Sequence, residues 1–109
     1  MPTIIFEQPG VPPKTVEINA IEMTIGRADE NHVVLVADEV SRQHAKLTLQ
    51  GDKTILHDLK SLNGTYVNRQ RIVERILAEG DEIWLGGKCR AMFRDDPEEI
   101  KEQRRQQAS

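Results

Sequence analysis

The chain has 109 residues, of which 38% are hydrophobic and 30% are charged. This length is typical of a single domain with one modest hydrophobic core. The formal net charge of −3 argues against a general nucleic-acid binder, which normally carries a strong basic excess. The longest apolar run, Val33 to Ala37, is far shorter than the roughly 20 residues that span a bilayer, and no secretory signal pattern opens the chain. We therefore expect a cytoplasmic protein with no nucleic-acid partner and no membrane partner.

Cysteine and histidine content bears on metal and redox chemistry. Cys89 is the only cysteine, which excludes an intrachain disulfide and a paired-cysteine metal centre. It shares a strand face with Ala91 and Phe93, so we expect a buried structural thiol whose pKa is lowered slightly by Lys88 and Arg90. The three histidines have no metal-ligand spacing. The sequence therefore predicts no metal site and no cofactor.

Short apolar runs separated by turn residues make up the chain as far as residue 94. In chain order, the predicted strands are 4–6, 15–18, 23–25, 33–36, 45–50, 53–57, 66–67, 71–72, 76–77, 82–85 and 88–93. The prolines and glycine within 8–13 predict a turn or loop, and the run 33–36 predicts a strand buried on both faces. Gly51-Asp52 joins two alternating runs and predicts a tight hairpin. The pattern is typical of an all-β sandwich or barrel.

Composition changes at Asp95. Residues 95–109 are acidic first and basic last, and Ile100 is their one large apolar side chain. We therefore predict a domain at 1–94 and a charged C-terminal tail or linker at 95–109. A short helix beginning at Pro97 is the alternative for this tail, because its charge order matches a helix dipole.

Three polar segments lie at or near the ends of predicted strands, so we expect them in loops. They are Gly26-Arg27, residues 41–44 (Ser-Arg-Gln-His) and residues 59–68 (LKSLNGTYVN). Together they offer two guanidinium groups, an ammonium, two serine hydroxyls and an asparagine amide. These groups suit a dianionic phosphate and the peptide backbone that carries it. Each segment by itself is also typical of an ordinary surface turn.

Ser41 and His44 are also compatible with a catalytic pair. Such catalysis needs an orienting acid and an oxyanion site, and Asp58 is the one candidate acid near these motifs. The two residues lie too close on one extended loop to be forced together. Because His44 directly precedes a core strand, we expect it to face inward and to hydrogen-bond a neighbouring loop backbone. The sequence therefore predicts recognition without catalysis, and no catalytic residues.

In order and spacing, these segments resemble a forkhead-associated (FHA) domain. The resemblance includes Gly26-Arg27, the segments 41–44 and 61–68, and the segment 80–86 (GDEIWLG), and it extends from about residue 4 to residue 93. It implies an all-β fold, a β-sandwich of about eleven short strands with binding loops at one end. These loops would bind phosphothreonine in a partner protein.

The resemblance also implies roles for individual residues. Arg27 and Ser41 match the positions that grip the phosphate, and Asn63 matches an asparagine that hydrogen-bonds the ligand backbone. The implied phosphopeptide-binding residues are Arg27, Ser41, Arg42, Lys60, Ser61 and Asn63. The implied loop scaffold is Gly26, His44, Gly64, Thr65 and Asn68, with a ligand contact as the alternative for Asn68.

Two residues depart from the family pattern. Leu62 stands where threonine is frequent, which removes one hydroxyl from the expected pocket. Arg69 stands where glycine is usual, which adds a cation near its rim. The second departure is expected to favour partners with acidic flanks.

The function implied is phosphothreonine-dependent protein–protein interaction by a monomeric signalling adaptor. Its expected partner is a phosphothreonine-containing protein such as a Ser/Thr kinase or a kinase substrate. The alternative is a phosphate-independent interaction domain that uses a lateral face of the sandwich. Recognition of a neighbouring copy through its own phosphorylated threonines, such as Thr3 or Thr15, is also left open.

Overall fold

The computed structural model describes residues 2–95, so the predicted tail, with its alternative helix, lies outside the described residues after Asp95. This part of the chain forms eleven strands. They are β1 (Thr3–Gln8), β2 (Val11–Glu17), β3 (Glu22–Gly26), β4 (Val33–Val34), β5 (Ala45–Gln50), β6 (Lys53–Asp58), β7 (Thr65–Val67), β8 (Gln70–Arg71), β9 (Glu74–Ile76), β10 (Glu82–Leu85) and β11 (Cys89–Arg94). Between residues 2 and 95 there is no helix that is long and apolar enough to cross a membrane.

The strands form two sheets. One has six strands in the order β2-β1-β11-β10-β7-β8, and the other has five in the order β4-β3-β5-β6-β9. Neighbouring strands pair antiparallel except β3 and β4, which are parallel. The predicted all-β sandwich of about eleven strands is therefore confirmed.

Alternating side chains from both sheets form the core between them. Phe6 and Phe93 from the six-stranded sheet and Ile25 and Leu47 from the five-stranded sheet are each 1% exposed. Fully burying one such side chain stabilises the fold by roughly 1.5–3 kcal/mol. The period-2 pattern of the sequence therefore determines which face of each strand turns inward.

The prediction of a turn or loop at residues 8–13 was mostly wrong. Only Pro9-Gly10 turns, and β2 begins at Val11 and contains Pro12 and Pro13. Proline is tolerated in β2 because this strand is the edge of its sheet, where a backbone N–H facing solvent has no ladder partner to lose.

Three predicted strands are shorter or shifted in the structure. β4 ends at Val34, and Val36 is 68% exposed, so the prediction of a strand to residue 36 that is buried on both faces was wrong. Ile72 and Leu77 are buried but follow the ends of β8 and β9. Both are apolar because they pack into the core from loop positions. The sequence pattern alone does not distinguish such loop residues from buried strand residues.

Cys89 is fully buried, as predicted, but its acidity was predicted wrongly. Burial raises the pKa of the thiol, and the negative charge of Glu39 raises it further. Lys88 does not offset this, because its ammonium pairs with Glu39 at 3.2 Å. Arg90 is likewise paired with carboxylates at the outer surface of the sheet.

The strand order brings four chain connections to one end of the sandwich, which we call the loop end. β3 and β4 both end there, and β5 starts there because Ala45 opposes Ile25. β6 also ends there, since Asp58 opposes Ala45. The segments 27–32, 35–44, 59–64 and 86–88 therefore meet, although they are far apart in sequence.

Candidate functional site

Backbone hydrogen bonds join the segments at the loop end. Arg27 N–H donates to the Ser41 carbonyl at 3.0 Å, and Leu59 N–H donates to the His44 carbonyl at 2.9 Å. Gly86 N–H donates to the Gly64 carbonyl at 3.0 Å. The polar segments identified in the sequence are therefore connected to one another through the main chain.

Gly26 allows the first two of these segments to approach closely. A Cβ at this position would lie 2.8 Å from both the Arg42 carbonyl carbon and Asn31 Nδ2, and closer still to the Arg42 oxygen. The Asn31 amide lies in the space beside Gly26, where its Nδ2 donates to the Arg42 carbonyl at 2.7 Å and to the Ala28 carbonyl at 2.9 Å. Sequence reasoning missed Asn31, because no local pattern shows which carbonyls its amide reaches.

His44 connects two loops from a fully buried position. Its Nε2 donates to the Gly64 carbonyl at 2.9 Å, and its Nδ1 accepts the Ser41 N–H at 3.1 Å. Burial lowers the pKa of His44, opposed by the bond to Gly64 and by the charge of Asp58. The ring is therefore neutral near pH 7, and only this form can accept at Nδ1 while donating at Nε2.

Asp58 organises the β6–β7 loop. Its Oδ1 accepts the hydroxyls of Ser61 at 2.5 Å and Thr65 at 2.7 Å, and its Oδ2 accepts the Ser61 N–H at 3.2 Å. The Ser61 hydroxyl also accepts the Gly64 N–H at 3.1 Å. Sequence reasoning missed this role, although aspartate side chains commonly hydrogen-bond backbone N–H groups close to them in the chain.

Ser61 was expected at the ligand surface, but the structure places it within the loop. It is 6% exposed, and its hydroxyl is already shared between Asp58 and the Gly64 N–H. A buried hydroxyl that is engaged in this way has no free proton for a ligand. The structure therefore groups Ser61 with Thr65 as loop scaffold.

Arg27 and Ser41 lie at the surface of the loop end with free donors. Arg27 Nε donates to the Val40 carbonyl at 3.1 Å, which orients the guanidinium and leaves its terminal nitrogens available. The Ser41 hydroxyl oxygen accepts the Leu62 N–H at 3.1 Å, so its proton remains free to donate. The bond between the Arg27 N–H and the Ser41 carbonyl places these two residues on adjacent backbone segments.

Arg42, Lys60 and Asn63 are exposed around these two residues. Lys60 has a φ of 57°, a left-handed conformation that is uncommon outside glycine and is often found at functional loops. Asn63 Nδ2 donates to the Glu39 carbonyl at 2.9 Å, and its amide oxygen has no hydrogen-bond partner among the described residues. Leu62, between them in the loop, is 85% exposed.

Asn68 is not brought to the loop end. It lies at the opposite end of β7 with a φ of 50°, and Arg69 follows it with a φ of 69°. Its Oδ1 accepts the Glu82 N–H at 3.0 Å, and its Nδ2 donates to Asp81 at 2.9 Å. Asn68 therefore stabilises the β7–β8 turn. The structure is compatible with its predicted role as scaffold, and it places Asn68 away from the loop end where a ligand contact was the alternative.

In the described part of the chain, the loop end contains one ion pair, between Lys88 and Glu39, and three cations without one. Four other cations in residues 2–95 have carboxylate partners: Lys46 pairs with Glu22, Lys88 with Glu39, Arg90 with Glu82 and Glu7, and Arg94 with Glu79. By contrast, the described residues place no carboxylate within ion-pair distance of Arg27, Arg42 or Lys60. Because Asp29, Glu30 and Asp38 lie in the same segments, these cations are best described as charge-assisted donors available to an anion. No group of three potential metal ligands occurs in the described part of the chain.

The family model for the FHA domain matches residues 23–86, which include the loop-end segments 27–32, 35–44 and 59–64. The chain belongs to the FHA-domain family. Members of this family bind phosphothreonine. The match extends over more than half of the chain and over both sheets.

Individual relatives agree with this assignment. The chain is 42% identical over 72 residues to the glycogen accumulation regulator GarA of Mycolicibacterium smegmatis, covering 66% of this chain and 45% of that protein. A structure solved to analyse phosphothreonine-dependent FHA domain interactions has a TM-score of 0.78 at 30% identity, covering 87% of this chain and 98% of that one. The FhaA FHA domain, solved in complex with the intracellular domain of another protein, has a TM-score of 0.75 at 31% identity, covering 84% and 99%. This FHA chain spans about half the length of the curated relatives it matches.

Proposed function

We propose that the domain binds phosphothreonine in a partner protein and so makes their association depend on phosphorylation. The observation that carries this proposal is that the Arg27 guanidinium and the Ser41 hydroxyl lie on two backbone segments joined by the hydrogen bond from the Arg27 N–H to the Ser41 carbonyl. Both are oriented by backbone contacts, and both keep free donors at the surface of the loop end. Arg42, Lys60 and Asn63 are exposed on the same end, and the Asn63 amide oxygen is available to accept a ligand N–H.

The energetics of such a site favour a phosphorylation switch. A phosphothreonine carries roughly −1.5 to −2 charges at pH 7 and three strong acceptor oxygens. Hydrogen bonds to charged groups contribute roughly 1.5–3 kcal/mol each. Two of them from Arg27 and Ser41 amount to about 3–6 kcal/mol, which is a factor of about 10²–10⁴ in affinity. The unphosphorylated partner would lose nearly all of this.

We further propose that the domain is not an enzyme. His44 Nδ1 accepts the backbone N–H of Ser41, and its Nε2 is used by the Gly64 carbonyl. Neither ring nitrogen is therefore free to take the proton of the Ser41 hydroxyl, as a Ser/His catalytic pair requires.

The remaining expectations follow from the same proposal. We propose that residues 1–94 form the FHA domain and 95–109 a tail or linker, which agrees with β11 ending at Arg94. A monomeric domain acting in the cytoplasm would meet Ser/Thr kinases and their substrates, which are the partners we propose.

Titration with matched peptides tests the function. One peptide sequence carries phosphothreonine, phosphoserine or threonine at its centre, and binding is measured by fluorescence anisotropy. We expect saturable binding of the phosphothreonine peptide alone, weakened about 10²-fold or more by Arg27→Ala. Lys53→Ala is the matched control, because Lys53 is an exposed cation on the hairpin at the opposite end of the sandwich.

The alternative function gives a different result. A phosphate-independent scaffold that uses a lateral face would bind its partner equally well with and without the phosphate. Binding that survives Arg27→Ala in a folded variant would contradict phosphothreonine recognition and favour that alternative.

A further inference from the structure

Asn31 is a buried polar residue next to the segments assigned to the phosphothreonine. It is 7% exposed, although asparagine is mostly found at protein surfaces. Its Nδ2 donates to the Ala28 carbonyl at 2.9 Å and to the Arg42 carbonyl at 2.7 Å. One side chain therefore links the segment that carries Arg27 to the segment that carries Ser41.

The two carbonyls fix the orientation of the Asn31 amide. The opposite orientation would place Oδ1 at 2.7 and 2.9 Å from two carbonyl oxygens, and none of these oxygens carries a proton to share. With Nδ2 on that side, Oδ1 is buried and has no hydrogen-bond partner among the described residues. A buried acceptor without a partner lowers stability. The amide thus combines two favourable contacts with one unfavourable environment.

Neither carbonyl depends on the Asn31 side chain for a hydrogen bond. Ala28 N–H also donates to the Arg42 carbonyl at 3.3 Å, and the backbone N–H of Asn31 donates to the Ala28 carbonyl at 3.2 Å. Both oxygens would therefore keep a donor if the amide were removed. Removal would also eliminate the buried Oδ1, which offsets the two lost bonds. We therefore expect the amide to contribute little to the net stability of the fold.

What the amide determines is how closely the two segments approach. At the Arg42 carbonyl its bond is shorter than the backbone bond from Ala28, at 2.7 Å against 3.3 Å. Gly26 provides the room, because a Cβ there would lie 2.8 Å from Asn31 Nδ2. The amide is therefore the closer of the two contacts that hold this carbonyl.

We propose that Asn31 is a positioning residue for phosphothreonine binding, which sets the spacing between the Arg27 guanidinium and the Ser41 hydroxyl. This inference rests on the proposed phosphothreonine function. The two carbonyls that the amide holds belong to the residues that directly follow Arg27 and Ser41. Two donors gain most from one phosphate when their spacing is fixed before it binds, because less ordering is then needed on binding.

Asn31→Ala tests this role with two measurements. Fluorescence anisotropy gives the dissociation constant of the phosphothreonine peptide that saturates the wild-type protein, and urea unfolding gives the stability. We expect the variant to bind this peptide about five- to ten-fold more weakly, because its two donors are no longer held at one spacing. Its urea midpoint should remain within about 0.5 M of the wild-type value.

Asn68→Ala is the matched control. Asn68 also bridges two groups, but at the other end of β7, where its Nδ2 donates to Asp81 at 2.9 Å and its Oδ1 accepts the Glu82 N–H at 3.0 Å. Both polar atoms of this amide are paired, so its loss should lower the urea midpoint by more than about 0.5 M. Its affinity for the phosphothreonine peptide should stay within about two-fold of wild type. The two asparagines should therefore show opposite patterns.

A double-mutant cycle with Ser41→Ala separates spacing from a general structural effect. Without the Ser41 hydroxyl, there is no second donor whose distance from the Arg27 guanidinium matters. In the Ser41→Ala background, Asn31→Ala should therefore weaken binding less than about two-fold. A general perturbation of the fold would instead have about the same effect in both backgrounds.

The outcomes distinguish the positioning role from the proposed function. Unchanged affinity of Asn31→Ala would overturn the positioning role while phosphothreonine recognition stands. A fall in its urea midpoint as large as that of Asn68→Ala, or an equal effect in both backgrounds of the cycle, would also overturn it. Failure of the wild-type protein to bind any phosphothreonine peptide would instead refute the proposed function.

Discussion

Gly26→Ala should destabilise the domain through a steric clash that no side chain can relieve. The added Cβ would lie 2.8 Å from the Arg42 carbonyl carbon and from Asn31 Nδ2. Because the first of these atoms belongs to the backbone, the 41–44 segment must move. Overpacking of this kind costs about 1–3 kcal/mol, and displacement of the Asn31 bond to the Arg42 carbonyl adds about 1 kcal/mol. We therefore expect a loss of about 2–4 kcal/mol in the free energy of unfolding.

Urea unfolding followed by tryptophan fluorescence measures this loss, with Gly87→Ala as the matched control. A Cβ at Gly87 would meet nothing within 4 Å. That variant should change the free energy of unfolding by less than about 1 kcal/mol, in the stabilising direction if anything. The remaining folded Gly26→Ala protein should also bind phosphopeptide more weakly, since Arg27 and Ser41 are linked across this contact. Equal stability of the two variants would refute the argument that close backbone approach requires a glycine at position 26.

Three further predictions concern Asp58, Arg69 and His44. Asp58→Asn should lower the free energy of unfolding by about 2–4 kcal/mol in urea titrations, because a charged acceptor of three hydrogen bonds is lost; an unchanged midpoint would contradict this role. Arg69 has a φ of 69°, which glycine adopts at less steric cost than arginine. Arg69→Gly should therefore increase the free energy of unfolding by about 1 kcal/mol and raise the melting temperature, and a lower melting temperature would contradict this reasoning. The pKa of His44 is lowered by folding, so the unfolded state binds more protons and stability should fall as pH drops below about 6.5. Urea midpoints between pH 8 and pH 5 should show a smaller fall for His44→Gln than for the wild-type protein, and identical falls would contradict the assignment.

The sequence by itself determined most of the local structure. Alternation in 45–50 and 53–57 with Gly51-Asp52 between them is sufficient for the β5–β6 hairpin, since a period of two and a turn with positive φ are local properties. The same is true of the polar segments that end strands. Their residue types limit the chemistry to binding an anion, and their order along the chain was enough to identify the FHA family.

The tertiary structure alone decided which groups remain free to act. Ser41 and Ser61 are equivalent in sequence as hydroxyls in polar loops, but the Ser61 hydroxyl donates its hydrogen bond to Asp58, whereas the Ser41 hydroxyl remains free to donate. Similarly, Lys88 was close to Cys89 in sequence, yet in the fold it pairs with Glu39. Hydrogen bonds and ion pairs depend on distances between atoms that are remote in the chain. Such distances exist only after both sheets have packed, because that packing brings the four connections together at the loop end.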